Sequence, residues 1–181
     1  MGNIITRHDF KDGDLILVNN YPDNPESIIL PLAIRKATRC YYHHCAIYFN
    51  GYVYQSIASG VKRTHTIQEY IKGIGETREI AICRLPNFDK VALIEQVGLK
   101  YNYLSTFIFQ PYYQVFNTYP KVGNNPKSRN CSQFAAKCYG FDWWASADPQ
   151  DLWREACTNN YVIKETAQKR RSYVNEKLKS K

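Results

Sequence analysis

The chain has 181 residues, 44% of them hydrophobic, which suits one domain with a sizeable core. Its formal net charge is +8, and it has no apolar run of the roughly 18 residues that a transmembrane helix needs. Six cysteines without an export signal, in a chain too long for a disulfide scaffold, are expected to be reduced, and the expected location is cytoplasmic.

Met1-Gly2 with Thr6 matches the short N-myristoylation pattern, a motif that recurs by chance. Asp12-Gly13 supplies a turn before the apolar run Leu15 to Val18, read as a buried strand. Residues 19–25 carry two prolines and read as a loop. Apolar spacing over 26–37 predicts a helix, kinked or delayed by Pro31. Residues 41–49 and 52–57 are rich in aromatic and β-branched side chains and flank Asn50-Gly51, a strong hairpin signal. A third strand follows over 61–64. Thr66 and Glu69 form a capping box for a short helix ending at Ile71. Residues 79–85 read as a strand stopped by Pro86, and Asp89 as the N-cap of a helix over 89–101.

Residues 104–116 are aromatic and apolar, interrupted by Pro111, and 118–129 read as a loop. Core packing accounts for the aromatic run, including Phe107, Phe109, Tyr112, Tyr113 and Phe116; the alternative is a groove wall for an acyl chain or an apolar side chain. Asn130 then caps a helix that opens on Cys131 and stops at Gly140. Asp148 and Pro149 open another helix through Cys157, and 161–163 reads as a last strand. The tail, at about 164–181, holds seven lysines and arginines against Glu165 and Glu176. A solvated helix explains it; contact with an acidic partner is the alternative. Strands followed by helices, without repeats or an internal boundary, predict a single α+β domain over residues 1–181.

A cysteine on the first turn of a helix meets free N–H groups and the positive dipole end, which favour thiolate. The plain alternative for Cys131 is a core cysteine on an ordinary amphipathic helix. A nucleophile needs a base and a group that orients it, and His44 and Gln55 are the candidates. Counting outward from Asn50-Gly51 pairs Phe49 with Tyr52 and Ala46 with Gln55. Gln55 then shares a face with His44 and stands diagonal to it, within reach of a long side chain. If 40–45 is all strand, Cys40 and His44 point one way and His43 and Cys45 the other. Zinc is therefore not expected there, and no metal or cofactor is implied. His43 should face away from His44, in a structural or solvent-facing position.

Six segments, in order, resemble the circularly permuted papain-like proteins of the NlpC superfamily, in the YiiX-like branch. They are Asp12-Gly13-Asp14-Leu15-Ile16, His44-Cys45-Ala46-Ile47-Tyr48, the hairpin from Tyr52 to Val61, Gly98-Leu99-Lys100-Tyr101-Asn102, Asn130-Cys131-Ser132-Gln133-Phe134 and Asp148-Pro149-Gln150-Asp151-Leu152. Together they cover most of residues 10–155. The resemblance implies a small antiparallel sheet packed against helices, with Cys131 as nucleophile, His44 as general base and acid, and Tyr101 lining the substrate pocket or assisting the oxyanion. Gln55 and Asn102 stand where the family usually has acids. The implied activity is a thiol hydrolase of the cysteine peptidase or amidase type, acting on a small peptide or amide. Alternatives are an acyltransferase or esterase on a lipid-like substrate, and a silent binding protein that keeps the fold.

Overall fold

The computed structural model describes residues 5–20, 40–72, 78–109 and 125–166. The predicted helix over 26–37, residues 1–4 of the N-terminal motif, Tyr112, Tyr113 and Phe116, and the tail beyond Thr166 lie outside them.

Among the described residues the architecture is α+β, built on a six-stranded antiparallel sheet. The strands are β1 (Asp14–Asn20), β2 (His44–Phe49), β3 (Tyr52–Ile57), β4 (Gly60–Thr66), β5 (Arg78–Cys83) and β8 (Val162–Glu165). Their order is β4-β3-β2-β1-β5-β8, so β1 and β2 are central. The helices are α1 (Ile67–Ile71), α2 (Lys90–Gln96), α3 (Cys131–Cys138) and α4 (Pro149–Thr158). Two short segments, β6 (Lys100–Tyr101) and β7 (Ser128–Arg129), pair in parallel beside the start of α3.

The alternation of the strands makes two cores. Leu15, Leu17, Cys45, Ile47, Ala81 and Cys83 pack against Phe134 and Ala135 of α3 and Leu152 and Trp153 of α4. Ile16, Val18, Ala46, Val53, Ile80 and Ile82 form the opposite face with Phe10, Ile67 and Tyr70. The β2–β3 hairpin turns through Asn50 (φ 49°) and Gly51 (φ 82°), the left-handed pair that a two-residue turn requires. The register is the one the sequence predicts: Ala46 opposes Gln55, Ile47 opposes Tyr54 and Phe49 opposes Tyr52.

Several boundaries differ from the sequence reading. The strand expected from Tyr41 begins at His44, so alternation does not govern Cys40 to His43. Cys40, Tyr42 and Cys45 share one core cluster, and His43 is buried. Among the described residues no group of three or more His, Cys, Asp or Glu side chains is placed to hold a metal ion. The helix from Asp89 stops at Gln96, because Val97 is extended and Gly98 takes φ +93°. The chain then turns toward β4: Val61 N–H donates to Leu99 C=O and Gly98 N–H to Val61 C=O, both at 2.8 Å. Gly60 sits at this crossing with φ +101°, and a Cβ there would fall 2.4 Å from the Leu99 oxygen, so only glycine fits. The crossing brings Tyr101 and Asn102 beside α3. At the other end, β8 takes the first residues of the basic tail into the sheet: Lys164 pairs with Asp9 at 2.9 Å, and buried Glu165 accepts from the Tyr42 hydroxyl. No described helix is long and apolar enough to cross a membrane.

Candidate active site

The start of α3 is held from several sides. Asn130 Oδ1 accepts from Gln133 N–H at 2.8 Å, and Gln133 Oε1 accepts from Asn130 N–H at 3.1 Å, closing a capping box. Such a cap stabilises a helix by about 1 kcal/mol. Gln133 also donates to Ala145 C=O at 2.6 Å and accepts from Asn102 Nδ2 at 3.2 Å. Asn102 Oδ1 in turn accepts from Ser105 N–H at 3.0 Å. Asn102 therefore donates and accepts at once, which an ionised aspartate cannot do. The amide at this position belongs to the scaffold of the site.

The chain entering α3 is fixed by Arg129. Its guanidinium is buried, donates to Asn125 C=O at 2.8 Å and Ser128 C=O at 2.7 Å, and lies 4.5 Å from the centre of the Trp144 ring. Its carbonyl accepts from Ser56 Oγ of β3 at 2.7 Å, so the sheet grips the residue just before the cap.

Cys131 follows as the first residue of α3 and is 5% exposed. Its own N–H and that of Ser132 belong to the first turn, where the helix supplies no acceptor. A hydrogen bond from the Cys45 thiol, the charge and hydrogen bond of His44, and the Cys45 N–H hold the Cys131 thiol well below its usual range. They outweigh burial, which acts the other way. On the β3 side the β2 ladder ends at the Ala46–Gln55 pair, so His44 stands just beyond it, where its ring acts on Cys131 at the start of α3.

His44 Nε2 and Gln55 Oε1 are 2.7 Å apart, the diagonal contact that the hairpin register predicts. The polarity of this contact is set further out. The Val53 carbonyl can only accept, so Thr64 Oγ1, 3.1 Å away, donates to it. Thr64 Oγ1 then accepts from Gln55 Nε2 at 2.9 Å, which turns Gln55 Oε1 toward the histidine. His44 must donate from Nε2, and Nδ1 is left as the ring nitrogen for the Cys131 sulfur. A neutral glutamine thus fixes the tautomer of His44.

Thr64 is the member of this chain that the sequence did not disclose. The β3–β4 register shifts between Val53, which opposes His65, and Tyr54, which opposes Arg63. Thr64 is the extra residue of a bulge, and bulges re-aim side chains in this way. The sequence carries no glycine or other signal of the bulge. Cys45 is the other: the sequence offers it only as a zinc candidate, and alternation opposes it to His44. That alternation places it on the side α3 covers, where its sulfur lies 3.8 Å from Ser132 Oγ.

Tyr101 stands near enough to Cys131 for the thiolate, with burial as the larger cause, to push its phenol well above the ordinary range. Thr106 Oγ1 donates to Asn102 C=O and is 3.2 Å from the Tyr101 hydroxyl, which directs the Tyr101 proton toward Thr106. Tyr101 therefore lines the site without aiming its proton into it. The four residues predicted for the site, Cys131, His44, Gln55 and Tyr101, are brought together. Among known proteins, no family model, no curated protein and no solved structure matches the chain.

Proposed function

We propose that this chain is a cysteine-dependent hydrolase that cleaves an amide or peptide bond, on a permuted papain-like fold of the NlpC type, YiiX-like branch. The observation that carries the reading is the depressed thiol of Cys131 at a capped helix start, beside a histidine whose tautomer Gln55 and Thr64 fix. The chain order, histidine before cysteine, agrees with the permuted arrangement. The expected cytoplasmic location belongs to this proposal.

In this reading the Cys131 thiolate attacks the substrate carbonyl carbon. The carbonyl oxygen becomes an oxyanion, met by the N–H of Cys131. Imidazolium Nδ1–H of His44 gives its proton to the leaving amine as the C–N bond breaks, leaving a thioester. His44, now neutral, takes a proton from water, and the hydroxide attacks the thioester. The acid departs and the thiolate–imidazolium pair is restored. Gln55 keeps the ring in place throughout and carries no charge.

The test is the pH dependence of iodoacetamide labelling at Cys131 in the parent and in His44→Ala, read by mass spectrometry, followed by a panel of peptide, amide and ester substrates. Labelling below the ordinary thiol range, slowed by His44→Ala, with amide cleavage lost in Cys131→Ala, supports the hydrolase. Cleavage of esters alone, or transfer to an added amine, assigns the acyltransferase or esterase alternative. Labelling indifferent to His44 leaves a binding protein that keeps the fold.

A further inference from the structure

Cys45 takes no part in the acyl-transfer steps, yet its sulfur is held against the nucleophile. It is the second residue of β2, fully buried on the face that α3 covers. The Cys45 and Cys131 sulfurs each lie 3.8 Å from Ser132 Oγ, so one hydroxyl neighbours both, and Cys45 is the leading cause that lowers the Cys131 thiol. Two sulfurs of opposite character thus share one hydroxyl neighbour at the start of α3. Cys131 is the more acidic, and burial keeps Cys45 protonated. Cys40, Cys83 and Cys138 are likewise kept protonated by burial, so among the buried cysteines an oxidant that reacts with thiolate meets Cys131 first.

We propose that Cys45 is the resolving thiol of Cys131, and that the pair is a site of reversible oxidation by hydroperoxides. The Cys131 thiolate attacks one peroxide oxygen, the O–O bond breaks and hydroxide leaves, giving Cys131 sulfenic acid. The Cys45 sulfur then attacks the Cys131 sulfur. An S–S bond forms, the S–O bond breaks, and the leaving hydroxyl departs as water with the Cys45 proton, relayed by Ser132 Oγ. The peroxide gains two electrons and the two thiols lose two. An added dithiol restores both thiols by exchange.

Two consequences follow. Drawing the sulfurs to the bond length of about 2 Å removes the nucleophile, so the oxidised protein is inactive in any thiol chemistry. The disulfide also spares Cys131 from sulfinic and sulfonic acids, which a thiol reductant does not reverse. The proposal needs only a thiolate and its neighbour, and it stands even if Cys131 turns over no amide.

The experiment treats the full chain with hydrogen peroxide, blocks remaining thiols with iodoacetamide, and reads intact mass and peptide maps before and after dithiothreitol. The parent is expected to lose two hydrogens, to yield a linked Cys45–Cys131 peptide and to recover fully on reduction. Cys45→Ala, checked for folding by circular dichroism, is expected to gain oxygens on Cys131 that reduction does not remove. If Cys45→Ala does not fold, Cys45→Ser takes its place; the parent's linked peptide depends on neither. A parent that adds oxygens to Cys131 as fast as the variant does, with no Cys45–Cys131 link, overturns the proposal. So does a map in which Cys131 links only to another cysteine.

Discussion

Cys131 and Cys40 are both buried, 5% and 3% exposed, and both lie beside the first turn of a helix, yet their thiols are shifted in opposite directions. Burial raises each. What differs is the company. The α3 start is capped by neutral Asn130 and faces His44 and the Cys45 thiol. The α4 start is capped by Asp148, whose side chain accepts from Asp151 N–H at 2.8 Å, and both carboxylates add to the rise at Cys40. A helix N-terminus therefore does not make a cysteine reactive by itself. At α3 the lowering comes from the Cys45 thiol and from His44 opposite the helix start.

The largest effect expected from disturbing this contrast is on stability at the α4 cap. Burial, then the charge of Asp151, raises the Asp148 carboxyl to about 7, against about 3.9 in an unfolded chain. Between those values the folded protein holds a proton that the unfolded chain has released, so stability falls as pH rises from about 4 to about 7. The slope is at most about 1.4 kcal/mol per pH unit. Asp148→Asn keeps a good cap and should flatten the slope, as read by urea unfolding at a series of pH values. A slope unchanged in the variant would take the titration away from Asp148. Cys40 should stay unlabelled in that variant below pH 9, because burial is the main cause of its shift. Labelling there would mean that the carboxylates govern it.

At α3 the corresponding change is His44→Ala. Losing an adjacent cation and its hydrogen bond should move the Cys131 labelling midpoint up by about 1 to 2 units. Asn130→Asp makes α3 resemble α4. Aspartate caps as well as asparagine, but its charge beside the sulfur should raise the Cys131 midpoint by about one unit. Unchanged labelling in Asn130→Asp would show that cap charge does not separate the two helices. The variant also loses the Asn130 Nδ2 bond to Ser105 Oγ, so its melting temperature is measured alongside.

Much of the site was legible because it depends on local rules. Hairpin counting from Asn50-Gly51 placed Gln55 diagonal to His44, and capping patterns found the starts of α1, α3 and α4. What was not legible depends on long-range packing. Gly98 and the Gly60 crossing end α2 early and bring Tyr101 and Asn102 to the site, although 89–101 has a helical stripe. Cys45 reads from the sequence only as a zinc candidate on the side opposite His44. The face it occupies is the one on which α3 lies, a docking no periodicity reveals.

The bulge at Thr64 is the least legible feature and gives the smallest expected effect. Replacing threonine by valine keeps the shape and removes the hydroxyl. Gln55 then loses the acceptor that orients its amide, and the Val53 carbonyl loses a donor. With nothing to fix Oε1 toward His44, the amide can turn its NH2 to the ring, and Nε2 must then accept. Nε2 then stays unprotonated, so the ring cannot carry the imidazolium charge opposite the thiolate in a fraction of molecules. The loss of one neutral hydrogen bond, about 1 kcal/mol, corresponds to an upward shift of the Cys131 labelling midpoint of about 0.7 unit. Thr64→Ser should restore the midpoint, because it returns the hydroxyl without the methyl. A purely structural role for Thr64 would lower the melting temperature of Thr64→Val while leaving the pH midpoint of labelling in place. A shifted midpoint recovered by serine is the signature of orientation, and would explain how a site with a neutral amide partner keeps its histidine poised.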